Sequence, residues 1–141
     1  MTRLTCVALL AGVAAIAPCH ADCLDDAATF RHINLQLVRA IAQQESSMRA
    51  DARAVNTDGS EDIGLMGINS SWLPKLARYG IRREHLFDAC VNAYVGTWIL
   101  ASNIRVFGRT WKAVGAYNAR STNKQLVYAN LIYRRLQRAE H

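Results

Sequence analysis

Between Leu37 and Met48 the apolar positions Val38, Ile41, Ala42 and Met48 recur at helical spacing. Glu45 falls in the same stripe, seven residues after Val38 and four after Ile41. This pattern predicts a helix over about 34–48 with one carboxylate turned toward its apolar side. Similar periodicity predicts a short helix over 23–31 and two brief helical pieces over 68–73 and 74–79, the second stopped by Gly80. A long helix begins after Asp88 as cap and ends at Gly108, with Ala89, Ala93, Gly96, Leu100 and Phe107 facing inward. Thr110 caps the next, which carries Trp111, Val114 and Tyr117. The last starts near Asn123 and presents Leu126, Ala129, Tyr133 and Leu136 on one side. Residues 51–64 are rich in turn formers, with room for a minor hairpin. No alternation of β-branched residues persists, so the expected fold is all-α (mainly α) in a single domain.

A carboxylate on an apolar face loses hydration, and desolvation raises its pKa by disfavouring the charged form. A group so placed keeps its proton near neutral pH and can donate it. The competing reading is a slightly rotated helix that lets Glu45 edge into water.

The first residues read as an export signal: Arg3, an apolar run from Val7 to Ala17 too short to span a bilayer, then Pro18-Cys19-His20-Ala21. Cleavage is expected after Ala21, leaving residues 22–141 as the mature domain, exported and without stable membrane insertion. Export removes Cys6 and Cys19. The remaining Cys23 and Cys90 most simply pair in an oxidising compartment; a pair of free buried thiols is the alternative. Lys and Arg number 17 against 11 Asp and Glu, a formal net charge of +6. An exported basic chain points away from nucleic acid and toward an acidic polymer or surface. Arg134, Arg135 and Arg138 also suit the solvated face of a terminal helix.

Three separated segments carry unusual combinations. Glu45-Ser46 ends an apolar helix, where the serine hydroxyl is a candidate to orient the carboxyl. Asp62-Ile63-Gly64-Leu65-Met66-Gly67-Ile68-Asn69 brackets Leu-Met between glycines, allowing a sharp turn or close approach of a ligand. Gly115-Ala116-Tyr117-Asn118-Ala119 brings a phenol and an amide to a helix end. In order and approximate spacing these resemble the soluble lytic transglycosylase family, with its Glu-Ser, Gly-Leu-Met-Gln and Ala-Tyr-Asn-Ala-Gly. The resemblance spans about 23–133. The Asp-Ile-Gly-Leu-Met context, Asn69-Ser70 and Leu86-Phe87-Asp88-Ala89-Cys90 are closest to a small stand-alone subgroup associated with type III and type IV secretion, conjugation and pilus systems. Members of that subgroup also look disulfide-linked at the matching cysteines. Two departures stand out: Gly67 replaces the usual Gln, and Arg120 the usual Gly.

The resemblance implies a lysozyme-like fold and cleavage of the bond between N-acetylmuramic acid and N-acetylglucosamine in peptidoglycan glycan strands. Glu45 would act first as acid and then as base, yielding 1,6-anhydromuramyl ends. Leu65 and Met66 would form an apolar shelf beneath a sugar ring; Ser46, Gly64, Tyr117 and Asn118 complete the expected substrate site. Asp62 either stabilises the positive transition state or caps the following turn. Glu61 and Asp58 read as exposed loop charges, and Asn92 as a brace for the cleft floor or a residue paired with backbone. The expected protein is a monomer that works beside a secretion or pilus apparatus. No metal ligand set, cofactor motif or nucleic-acid partner is expected. The alternatives are a lysozyme-type hydrolase on the same fold and a non-catalytic wall-binding assembly factor.

Overall fold

The computed structural model describes residues 20–139. The leader expected over residues 1–21 lies outside them but for His20 and Ala21, which open the first helix. The helices are α1 (His20–Arg31), α2 (Leu35–Ser46), α3 (Leu73–Leu76), α4 (Ala89–Phe107), α5 (Trp111–Asn118) and α6 (Thr122–Ala139). Between α2 and α3 lie three short strands, β1 (Arg53–Val55), β2 (Glu61–Ile63) and β3 (Ile68–Asn69). The fold is mainly α, as expected.

Helix α4 is the axis of the molecule. Asp88 caps it by accepting from the Val91 N–H at 2.9 Å, and Gly108, at φ 72°, ends it. Its buried residues, among them Asn92, Val95, Gly96, Ile99 and Leu100, lie on several faces, because α1 and α5 pack on it from different sides. Helix α6 covers α5 and α2. Cys23 of α1 is disulfide-bonded to Cys90 in the first turn of α4, closing a separation of 67 residues. In the chain-entropy view a loop of that length stabilises the fold by about 4 kcal/mol.

Residues 51–64 form more than a hairpin. The sheet has three antiparallel strands in the order β1-β2-β3, with Asp62 opposite Ala54 on one side and Asn69 on the other. The turn between β1 and β2 closes through the Asn56 N–H to the Ser60 carbonyl (2.8 Å) and through Asp58, which accepts from the Ser60 N–H and hydroxyl. Glu61 is not a free loop charge. Arg83 and Arg53 both donate to it and hold its carboxyl down at about 2.

Three elements differ from the periodicity. The piece expected as helix over 68–73 begins as β3 and turns into a 3-10 segment at Ser70–Trp72, because Ile68 pairs with Ile63 before the chain can coil. Met48 leaves the α2 stripe: the helix stops at Ser46, and Ser47 and Met48 both take positive φ (53° and 66°). Helix α6 is rotated from its expected face. Leu126 and Tyr133 are exposed, and Gln125, Tyr128, Ala129 and Ile132 are buried. That face carries one polar and one phenolic side chain, so counting aliphatic residues misplaced it.

Candidate active site

The apolar stripe of α2 is buried as its spacing requires, with Val38, Ile41 and Ala42 fully inaccessible. Glu45 stands at the end of that stripe, one residue before the helix stops. Burial is the main cause that lifts its carboxyl to about 7; the Tyr128 hydroxyl bond opposes the rise and the nearby Asp62 charge adds to it. Oε1 of Glu45 accepts the Tyr128 hydroxyl from α6. Oε2 lies against the backbone of Gly67, so close that a Cβ there would stand 2.8 Å from it. One carboxyl oxygen is therefore held by a phenol, and the other faces a stretch of chain with no side chain.

The turn at Gly64–Gly67 forms the opposite wall of the site, and three side chains fasten it. Asn92, fully buried on α4, accepts from the Met66 N–H (2.7 Å) and donates to the Ile63 and Leu86 carbonyls (2.8 and 2.7 Å). This satisfies both its amide groups, and all three contacts are to backbone, the second of the two expected readings, through which Asn92 ties the turn to α4. Ser46 donates to the Leu65 carbonyl (2.7 Å) and accepts from the Arg49 N–H (3.0 Å). Tyr117 of α5 donates to the Met66 carbonyl (2.8 Å). Burial first, then the charges of Glu45 and Asp62, raises the Tyr117 phenol well above its ordinary value, so it stays a donor.

These contacts correct several expectations. Ser46 bonds the turn, not the Glu45 carboxyl, because its short side chain points along the helix end to Leu65. Leu65 and Met66 offer no shelf: both are fully buried, and Met66 packs where a Cβ on Gly96 would stand 2.5 Å from its sulfur. Gly64, at φ 75°, is required by packing, since a Cβ there would reach 2.3 Å from both the Asn92 amide and the Leu86 carbonyl. Asn118 is exposed at the end of α5, and Arg120 is exposed beyond it.

Asp62 projects from the middle of β2. Its two oxygens accept from the Asn69 and Asn56 amides at 2.8 and 3.0 Å, and Ser60 bonds both of those amides. It caps no turn. It is a hydrogen-bonded anion whose field reaches Glu45 and Tyr117. The structure thus sets side by side one desolvated carboxyl and one polar, anchored carboxylate.

Tyr128 is the functional side chain that periodicity overlooked. It is buried, and the Glu45 charge is among the causes that raise its phenol far above the ordinary range. The available signal was its spacing from Gln125 and Ile132, three before and four after, on a helix where Leu126 and Leu131 point elsewhere. Among the described residues no group of three His, Cys, Asp or Glu side chains is placed to hold a metal, and no helix is long and apolar enough to cross a membrane.

The family model for the transglycosylase SLT domain matches residues 22–130. Among similar proteins, the X polypeptide of Escherichia coli (strain K12) is 42% identical over 124 residues, covering 82% of this chain and 73% of that one. Invasion protein IagB of Salmonella typhimurium (strain LT2) is 43% identical over 106 residues, covering 74% of this chain and 66% of that one. Protein IpgF of Shigella flexneri is 38% identical over 123 residues, covering 84% and 81%. An inactive mutant of lytic transglycosylase Slt from Pseudomonas aeruginosa shares the fold with a TM-score of 0.67 at 20% identity, over 83% of this chain and 23% of that one.

Proposed function

The chain belongs to the transglycosylase SLT domain family, and from that premise we propose that it is a peptidoglycan lytic transglycosylase that opens the cell wall locally for a secretion or pilus machine. The observation that carries the reading is Glu45: a buried carboxyl raised to about 7, gripped on one oxygen by Tyr128 and bare on the side facing Gly67. Protonated, it gives its proton to the oxygen bridging N-acetylmuramic acid and N-acetylglucosamine, and that bond breaks. The positive C1 centre is stabilised by the sugar's own acetamido oxygen, in the manner of substrate-assisted glycosidases. Glu45, now ionised, takes the proton of the muramyl C6 hydroxyl, whose oxygen closes on C1 as a 1,6-anhydro ring. Water is not consumed. A group that works as acid and then base operates best with a pKa near the working pH.

Tyr128 positions the Glu45 carboxyl. Tyr117, Ser46, Gly64, Leu65 and Met66 act by building the turn opposite it, while Asn118 lies outside at the exposed rim and is the one left to meet substrate directly. Gly67 keeps that face of the Glu45 carboxyl free of any side chain, since even a Cβ there would press on it.

The word invasion in the name of the Salmonella relatives supports work beside a wall-crossing machine. That setting calls for export of residues 22–141 to the periplasm after removal of residues 1–21, action as a monomer, and delivery to the wall by a partner.

A second reading rests on Asp62. Lysozyme-type hydrolysis needs a second carboxylate near the reacting carbon, and two asparagine amides anchor Asp62 by donating to its oxygens. Digestion of purified peptidoglycan, with product ends identified by mass spectrometry, separates the two. Anhydromuramyl ends that vanish in Glu45→Gln support the lyase. Reducing muramyl ends that fall in Asp62→Asn support hydrolysis. No new ends of either kind, together with complementation of a deletion by Glu45→Gln, would leave a non-catalytic wall-binding factor.

A further inference from the structure

Helix α4 has a second working face. Asn92 and Gly96 point at the Gly64–Gly67 turn, whereas Val91, Tyr94, Val95 and Trp98 point away from it and line a cavity of about 540 Å³. Leu76, Tyr79 and Ile81 complete its apolar floor. A second cavity of about 350 Å³ adjoins it, sharing Arg31 and Trp98. The aromatic side chains around the pair are unusually open: Phe30 is 63% exposed, Tyr79 69% and Tyr94 40%. An apolar hollow edged by exposed aromatic rings is a shape in which a partner's bulky side chain can be buried.

The rim is cationic. Arg31, Arg105 and Arg109 line the smaller cavity, and Lys75 stands 4.8 Å above the Trp98 ring. No carboxylate lines either cavity, and none of these four cations is in an ion pair among the described residues. Arg31 is the telling one. Its Nε is shielded from solvent yet has no hydrogen-bond acceptor among the described residues, a rare condition for a buried donor.

We propose that this groove docks a segment of a partner protein in which bulky apolar side chains are flanked by carboxylates. The concave aromatic floor takes the apolar anchors, and the cations, Arg31 foremost, take the carboxylates as charge-assisted hydrogen bonds. A membrane surface fits poorly, since it would need a projecting apolar face and not a hollow. A glycan fits poorly as well: neither cavity is lined by the carboxylate or amide side chains that bind sugar hydroxyls. The inference goes beyond the proposed catalysis and does not need it, because the groove shares no residue with the Glu45 site.

Selection of random phage-displayed peptides on the purified protein, followed by calorimetry with the enriched peptides, tests the proposal. The expected winners combine aromatic or branched aliphatic anchors with Asp or Glu. Tyr79→Ala and Arg31→Gln are each expected to weaken them about tenfold or more. Glu45→Gln is expected to bind them as the parent does. Thermal melts by circular dichroism check folding; should Arg31→Gln melt early, the exposed Lys75→Gln replaces it. The proposal is overturned by failure to enrich peptides, by winners without acidic residues, or by affinity indifferent to Tyr79→Ala and the cation variants. It is equally overturned if phosphatidylglycerol vesicles or glycan strands, and not peptides, bind in a way these variants abolish.

Discussion

Replacing Glu45 by Gln is expected to end catalysis and, at neutral pH, to make the protein more stable. The carboxyl sits at about 7 in the folded chain against an ordinary 4.5, chiefly because burial disfavours its charge. Between those values the folded chain holds more proton than the unfolded one, so stability falls as pH rises through the window and is level on either side of it. The gap corresponds to about 3 kcal/mol in full, of which about 1.4 kcal/mol is reached by pH 5.5. Glutamine is an uncharged isostere that can still accept the Tyr128 hydroxyl, so it resembles the protonated acid at every pH. Urea unfolding of parent and variant from pH 4 to 8.5 measures the difference, and every titration that the substitution leaves unaltered cancels. The variant's advantage is expected to be near zero at pH 4 and to grow to about 3 kcal/mol by pH 8, roughly 10 °C in Tm for a domain of this size. A difference that stays flat across the range, or that favours the parent at pH 8, would refute the claim that Glu45 is desolvated.

Tyr128→Phe removes the donor whose bond lowers the Glu45 pKa, so the alkaline limb of the activity profile is expected to move to higher pH, with about 1 kcal/mol lost in urea unfolding. Gly67→Ala sets a Cβ 2.8 Å from Glu45 Oε2 on a backbone at φ 59°; a fall in kcat, read by release of soluble muropeptides, is expected along with reduced stability. Asn92→Ala strips partners from the Met66 N–H and two buried carbonyls and opens a void beside Gly64, at a cost of about 3 kcal/mol or more by urea unfolding, with activity lost as the turn loosens.

Much of the architecture was legible along the chain because helical burial repeats locally. The Val38–Ile41–Ala42 stripe, the Asp88 cap and the Gly108 stop each depend on neighbours within a few residues, and each stands where spacing put it. Glu45 was legible for the same reason. The stripe on α6 was not, because its inward face uses Gln125 and Tyr128, polar groups whose burial is favourable only once acceptors are in place: the Ala119 and Arg120 carbonyls at the end of α5 for the first, and Glu45, remote on α2, for the second. Met66 and Leu65 carry no local mark of burial, because what closes over them is α4, remote in sequence, with the inward-facing Gly96 leaving room for the Met66 sulfur.

What the linear chain determined, then, is the helix inventory, the linkage of Cys23 with Cys90 as the simplest pairing, and the placing of one acid on an apolar face. Tertiary structure alone decided that residues 53–69 make a sheet, that Asn92 and Ser46 serve the turn and not a ligand, and that Tyr128 reaches Glu45 across 83 residues. The division has a physical cause. Apolar burial is non-directional and can be read from spacing, whereas a buried hydrogen bond depends on where two remote groups come to rest, and no interval along one helix records that.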